Sequence, residues 1–122
     1  MTINFHVSSE IQNKLKLDQS TSFLRVQDRS TLPQKKFDRV LYFMEEQDNE
    51  EEVMKDLMNI CNPEGLILVC NVPEVNARLS NGTLKYNKDI LTEILNLNDV
   101  KRFWFLSAKR DHLFDILVEA KN

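Results

Sequence analysis

The stretch from Phe37 to Asn71 constrains the fold of this chain more than any other part of the sequence. It opens with Val40–Met44, a nearly unbroken apolar run rich in residues that favour strands, as expected of a strand covered on both faces. It closes with Leu66–Cys70, a second run of the same kind. Because the pattern between the two runs is helical, the stretch predicts a β-α-β unit with parallel strands and a right-handed crossover.

The helix of this unit is marked at both ends. Asn49 can cap its first turn, with Glu52 three residues later. Pro63 and Gly65 are predicted to end it, because proline loses a helical hydrogen bond and glycine allows a sharp turn into the next strand. Apolar residues recur at helical spacing in two adjoining stripes, which predicts one broad face against a sheet: Val53, Leu57 and Ile60, then Met54, Met58 and Cys61.

The last third of the chain predicts a loop, a helix and a hairpin. Residues Glu74 to Tyr86 are mostly polar and predict a surface loop, after which Asn87 is expected to cap a helix with a narrow apolar face. Phe103–Leu106 and Leu113–Glu119 follow, too close together for a crossover helix, so they are expected to pair antiparallel. The predicted class is α/β, with a mostly parallel sheet, a C-terminal antiparallel hairpin and an inverted edge strand.

The front of the chain carries weaker patterns. Ile3–Val7 suggests a short strand, and Ser8-Ser9-Glu10 suggests the opening of a helix that carries Ile11, Leu15 and Leu17. Ser22–Gln27 alternates and predicts a strand with one wet face, followed by a connecting loop over residues 28–36. This front portion is too short for three strand-helix units, so we expect an abbreviated sheet.

Composition excludes several classes of protein. With 122 residues, we expect one domain spanning residues 1–122. The net charge of -3 gives no global attraction to nucleic acid or to an acidic membrane surface, and no apolar run is long enough to cross a bilayer. Met1–Val7 lacks the pattern of a signal peptide, so the expected location is cytoplasmic. Cys61 and Cys70 have no CxxC spacing and are expected to be small buried hydrophobes.

Residues 37 to 120 resemble the class I methyltransferases that use S-adenosylmethionine. Phe37-Asp38-Arg39-Val40-Leu41 looks like the fourth strand of that family, and Glu51 to Cys61 like the helix after it. Asn62-Pro63-Glu64-Gly65 and the strand that follows are similar to its Lys-Pro-Gly-Gly turn and fifth strand. Lys101 to Lys121 looks like its sixth and seventh strands. The resemblance implies an abbreviated Rossmann-like, methyltransferase-type sheet, similar in layout to the inactive methyltransferase-like domain of the anamorsin family, although the cysteine-rich tail of that family is absent.

The chain departs from this family where the cofactor binds. The family holds S-adenosylmethionine with a glycine-rich loop after the first strand and with an acidic residue that ends the second strand. Residues 1 to 36 contain no glycine, so no residue there allows a tight backbone approach to a cofactor. Asp28 is a weak candidate for the ribose acid, and a solvated loop residue is the favoured reading. We therefore expect no cofactor, with S-adenosylmethionine kept as the alternative.

No catalytic or metal-binding constellation is evident. His6 and His112 are the only histidines, and neither has a partner at a spacing diagnostic of a metal site or of an activated nucleophile. His112 is expected to be exposed at a hairpin turn. The sequence thus predicts no catalytic residues and no metal ligands.

An acidic run is the strongest candidate for a binding surface. Six acids fall within the eight positions that follow the first strong strand: Glu45, Glu46, Asp48, Glu50, Glu51 and Glu52. Ligands of open α/β sheets bind at the carboxyl ends of strands, which makes this segment a candidate site for a basic protein partner. A solvated helix start, whose dipole favours acids, is the alternative explanation.

Basic pairs near the single tryptophan raise a second binding hypothesis. Lys101-Arg102 and Lys109-Arg110 flank Trp104, while Lys35-Lys36 and Arg39 precede the first strong strand, and such groups can contact RNA. Against this, the continuous apolar run around Trp104 suggests core aromatics. Asp115 interrupts the last apolar segment and is expected to mark a face that is wet or shared with a partner, where an exposed edge strand would offer a dimer contact.

The function expected from these patterns is that of a non-catalytic, methyltransferase-like module that works through protein contacts, as a subunit or a homodimer. A divergent methyltransferase, or its partner subunit, is the first alternative. A small RNA-binding accessory protein is the second. No membrane contact is expected.

Overall fold

A computed structural model describes the chain over residues 9–17, 22–26, 29, 32, 34–45, 48–76, 85–98, 100–108 and 110–120. The helices of this part are α1 (Ser9–Leu15), α2 (Glu50–Asn59) and α3 (Asn87–Leu97). The strands are β1 (Phe23–Val26), β2 (Phe37–Phe43), β3 (Cys61–Pro73), β4 (Val75–Asn76), β5 (Lys85–Tyr86), β6 (Arg102–Ser107) and β7 (Leu113–Glu119). The predicted strand over Ile3–Val7 lies outside the described residues.

Five strands form one mixed sheet in the order β1-β2-β3-β7-β6. The pairs β1-β2 and β2-β3 are parallel, and β7 is antiparallel to both of its neighbours. Four strands therefore run in one direction and β7 runs against them. The prediction of a mostly parallel sheet with a C-terminal antiparallel hairpin is confirmed, but the inverted strand lies inside the sheet and β6 forms the edge.

The β-α-β unit is present as predicted, with a different boundary after the helix. Asn49 caps α2, accepting a hydrogen bond from the Glu52 N–H at 3.1 Å. The helix ends at Asn59, before Pro63, and Cys61 begins β3 instead of extending the apolar stripe of the helix. The ladder with β2 shifts between the pairs Phe37–Cys61 and Arg39–Leu66. The segment read as a turn is thus a bulge at the start of β3.

The two faces of the sheet have unequal cover. Helices α2 and α3 pack on one face over the main core, which takes Val40, Ile67, Val69 and Ile116 from the central strands. The short helix α1 covers the other face over a smaller cluster around Leu15, Leu41 and Leu68. The burial of Val40–Tyr42 confirms that β2 is a buried central strand.

The segment between β3 and α3 differs from its prediction. Instead of a plain loop, β4 and β5 pair antiparallel as a two-stranded ribbon, and residues 77–84 between them lie outside the described part. Asn87 is the first residue of α3 and not its cap, which is Tyr86. The buried Asn87 side chain donates to the Pro73 carbonyl oxygen at 2.7 Å. Asn87 therefore ties the helix to the carboxyl end of β3.

Asp115 holds α1 against the sheet. Its carboxylate accepts from the Lys14 ammonium at 3.1 Å and from the Asn71 N–H at 3.1 Å. Asn71 has a positive φ of 62° and lies where the β3-β7 register shifts, so the carboxylate serves a backbone group at a ladder irregularity. The prediction that Asp115 marks a wet or shared face is wrong, because the residue is buried with internal partners.

None of the helices in the described part combines the length and the apolar character of a membrane span.

Candidate functional site

The carboxyl end of β2 is organised around the buried carboxylate of Asp48. The Tyr42 hydroxyl, near the end of β2, donates to Asp48 Oδ2 at 2.5 Å. The Glu45 N–H donates to the same oxygen at 2.8 Å. Asp48 is only 6% exposed, so the chain folds back on itself directly after β2 and covers the carboxyl end of that strand.

Arg29 joins this cluster from the connection between β1 and β2. Its guanidinium donates to Asp48 Oδ1 at 3.1 Å and to Asp56 Oδ2, on α2, at 2.7 Å. The guanidinium carbon also lies 5.9 Å from the centre of the Tyr42 ring. One side chain thus links β2, the segment after it and the helix, and Arg29, Tyr42, Asp48 and Asp56 are named the arginine cluster below.

The ionisation of the cluster follows from these contacts. Burial alone would raise the pKa of Asp48, but the hydrogen bonds from Tyr42, Glu45 and Arg29 outweigh it and hold that pKa below its ordinary value. Burial, together with the bond to Asp48, raises the pKa of Tyr42 to about 12, although Arg29 opposes the shift. At neutral pH Asp48 is therefore an ionised carboxylate, Tyr42 a neutral phenol and Arg29 a charged guanidinium.

The acidic run divides into buried and exposed members. Asp48 and Glu50 are 6% and 5% exposed and present little surface to a partner. Glu45, Glu51 and Glu52 are exposed, and Glu46 lies outside the described residues. The acids at Glu50–Glu52 occupy the first turn of α2, where the helix dipole favours negative charge. The accessible acidic surface is thus smaller than the six positions of the sequence.

Few described residues at the carboxyl ends of the strands could hold a cofactor. Asp28, the candidate ribose acid, lies outside the described residues. Gly65 is the only glycine within the described part, and it lies near the amino-terminal end of β3, at the end of the sheet opposite the arginine cluster. Within the described residues, no three histidine, cysteine or acidic side chains lie together in a position to hold a metal ion.

The cysteines and histidines show no activated group. Both cysteines are buried free thiols, and burial raises the pKa of Cys61 to about 11 and that of Cys70 to about 12. Such thiols are inert at neutral pH, because the thiolate is the nucleophile. His112 is exposed at the β6-β7 turn with Glu74 at 4.0 Å, and His6 lies outside the described residues.

The basic groups considered for RNA are dispersed, and several are engaged. Arg39 donates to the Leu15 carbonyl oxygen at 2.6 Å and closes the end of α1. Arg102 and Lys101 lie 2.7 Å and 3.4 Å from Glu119. Lys35, Lys36 and Arg110 are exposed, and Lys109 lies outside the described residues.

Comparison with known proteins gives matches among solved structures. The chain is similar to the N-methyltransferase NodS from Bradyrhizobium japonicum, with a TM-score of 0.46 and 10% identity over 77% of this chain and 56% of NodS. It is also similar to TehB from Haemophilus influenzae, with a TM-score of 0.46 and 14% identity over 93% of this chain and 44% of TehB. The chain thus spans about half the length of these two structures. No protein-family model and no curated protein matches it.

The fold itself is α/β, with a five-stranded mixed sheet in which β7 is inverted between β3 and β6.

The arginine cluster was missed by sequence reasoning. Arg29 lies in a polar connection whose composition indicates only a loop, and nothing in its spacing relates it to Asp48 or Asp56. The sequence pattern places Tyr42 in an apolar strand and indicates no partner for its hydroxyl. A useful signal would have been that a buried tyrosine needs a hydrogen-bond acceptor, which directs attention to the acids directly after β2.

Proposed function

We propose that this chain is a non-catalytic, methyltransferase-like module that works through protein contacts, as a subunit or a dimer. The observation that carries the proposal is the arginine cluster. Ligands of open α/β sheets bind outside the carboxyl ends of the strands. Here Arg29 bridges Asp48 and Asp56 at that end of β2, and no described residue on that edge is a glycine.

The absence of an activated side chain among the described residues points the same way. The buried thiols have raised pKa values, and the buried Asp48 serves the fold, since its carboxylate accepts from the Tyr42 hydroxyl. A carboxylate that is saturated by internal donors is a poor general base, because its pKa lies far below neutral pH. The proposal extends the resemblance of residues 37 to 120 to the inactive methyltransferase-like domain of the anamorsin family.

Protein contacts are proposed at the exposed members of the acidic run. Glu51 and Glu52 lie in the first turn of α2, and Glu45 lies in the segment between β2 and α2. Their negative charge suits a basic partner surface. The double substitution Glu51→Lys with Glu52→Lys should deplete partners that wild type captures from native lysate, and Glu51→Gln with Glu52→Gln should weaken capture less. A matched control reverses two exposed acids elsewhere, Glu64→Lys with Glu93→Lys.

The outcomes separate the candidate functions. Loss of captured proteins in the α2 variant but not in the control supports a protein-contact role at this surface. An identical set of captured proteins for all variants contradicts it. Saturable binding of S-adenosylmethionine would instead favour the divergent methyltransferase, and salt-dependent retention on RNA would favour the RNA-binding accessory protein.

A further inference from the structure

Strand β6 is an edge strand without the usual protection. In the described part of the chain, no strand pairs with its outer side. Soluble proteins blunt such edges with proline, lysine, bulges or inward charges. The middle of β6 reads Phe103-Trp104-Phe105-Leu106 and contains none of these, while its ladder with β7 runs without a register shift over all six residues. The edge is therefore a regular template for another strand.

The apolar side chains of β6 extend over both faces of the sheet. Phe103 and Phe105 pack against the main core below α2 and α3. Trp104 is on the opposite face and 40% exposed, beside the half-buried Leu106 and Leu117. A large exposed aromatic next to apolar neighbours is typical of interaction sites.

The charges around Trp104 favour a protein strand over nucleic acid. The Arg102 guanidinium lies 5.5 Å from the centre of the Trp104 ring, and its charge is paired with Glu119 at 2.7 Å. Lys101 lies 3.4 Å from the same carboxylate. The Glu119 carboxylate neutralises one of these two cations, so only one net positive charge remains beside the ring and the attraction to a phosphate backbone is weakened.

The strand is complementary to a second copy of itself. A two-fold axis perpendicular to the sheet would pair β6 antiparallel with its own copy, and directly opposite residues in such a pair share a face. Even-numbered residues then meet even-numbered ones, so Trp104 and Leu106 face their equivalents, and Phe103 and Phe105 do likewise on the other face. Arg102, the only charged residue of β6, lies at one end and avoids its own equivalent in every register centred on Trp104 or Phe105.

We infer that the chain forms a two-fold homodimer in which β6 pairs antiparallel with β6 of a second copy, joining the two sheets with Trp104 at the centre. The inference rests on the proposed function, since it names one partner of a module that works through protein contacts. The contact is isologous, as expected for most homodimers.

Sedimentation equilibrium on the full chain tests the dimer. Wild type should show twice the 14.4 kDa chain mass at concentrations up to roughly 100 μM, a range that reaches weak specific association. Trp104→Lys places a charge on the edge and should raise the dimer Kd by about tenfold or more. Trp104→Phe should retain the dimer, and the remote Glu93→Lys should leave its Kd unchanged.

The single tryptophan of the chain gives a second readout. Trp104 emission in wild type should shift to longer wavelength on dilution, as the ring passes from a strand interface to water, and the far-ultraviolet circular dichroism should remain constant. A folded wild type that is monomeric throughout the concentration range overturns the inference. So does a dimer that Trp104→Lys leaves intact, or a folded monomer whose Trp104 emission responds to RNA. Binding of S-adenosylmethionine would contradict the proposed function without altering these measurements, so the two failures are distinguishable.

Discussion

Replacing Asp48 with asparagine should destabilise the whole protein, because one carboxylate serves three donors at the end of β2. Tyr42, Glu45 and Arg29 donate to it at 2.5, 2.8 and 3.1 Å. Asparagine has almost the same shape and keeps one acceptor oxygen, but it lacks the charge and the second oxygen. The Tyr42 hydroxyl and one arm of Arg29 would then compete for a neutral acceptor.

The size of the effect follows from these contacts. A hydrogen bond to a charged group contributes about 1.5–3 kcal/mol, and breaking a buried ion pair costs about 3–5 kcal/mol. Arg29 keeps its bond to Asp56 at 2.7 Å, and asparagine keeps part of the acceptor capacity, so we expect a loss of about 2–3 kcal/mol. For a chain of this length that corresponds to a fall in Tm of about 8–12 °C. Tyr42→Phe removes one bond and should cost about 1–2 kcal/mol.

Urea unfolding of the two single variants and the double variant measures this directly. The two changes should couple by at least about 0.5 kcal/mol, since they remove the same hydrogen bond. The pKa of Asp48 is lower in the folded state than in the unfolded state. The Asp48 carboxylate therefore contributes its full stabilisation at a pH above the unfolded-state pKa, and this stabilisation is lost as the pH falls through the folded-state pKa. The stability gap between wild type and Asp48→Asn should therefore be constant at neutral pH and shrink below about pH 4. A gap below about 0.5 kcal/mol at pH 7, or additive single variants, would refute the reasoning.

Three further outcomes are expected. Gly65→Ala should lower the free energy of unfolding in urea by about 2 kcal/mol or more, because the new Cβ would lie 2.6 Å from Cys61 Sγ and 2.8 Å from the Asp38 carbonyl oxygen. Glu64→Gly should leave that free energy unchanged or raise it, because Glu64 has a φ of 64°. A stable Gly65→Ala variant with a destabilised Glu64→Gly variant would contradict the bulge geometry. Asp115→Asn should speed amide exchange in α1 more than in β3, because it removes the ion pair to Lys14; equal exchange in the variant and wild type would count against that anchor. Cys61 and Cys70 should resist a thiol reagent at pH 8 until denaturant is added, since burial raises the pKa of both thiols; rapid labelling of the folded protein would contradict their burial.

Sequence patterns predicted the central strands and the helix between them better than the boundaries where these elements meet. The apolar runs of β2 and β3 and the capped helix between them are strong periodic signals, and each corresponds to an element. The end of α2 at Asn59 and the bulge that holds Gly65 were not predicted. By its spacing, Cys61 continues the apolar stripe of the helix, but its parallel pairing with Phe37 places it in β3. Tertiary pairing outweighs local periodicity there.

The site was less predictable because its contacts join separate parts of the chain. The acidic run follows the carboxyl end of β2, as the sequence pattern predicts. Composition does not distinguish Asp48 from Glu51, although Asp48 is buried and Glu51 is exposed. The position of Asp115 predicts a wet face, since a charge within a strand usually indicates one. Its role depends on Lys14, 101 residues away, and such distant pairs leave no local signal.

Calorimetric titration of the folded chain with S-adenosylmethionine, and separately with its demethylated product, tests the central claim most directly. With Arg29 bonded to Asp48 and Asp56 at the carboxyl end of β2, we expect no saturable heat with either compound up to about 1 mM, the weak end of specific binding. A micromolar Kd for either compound would contradict a non-catalytic role.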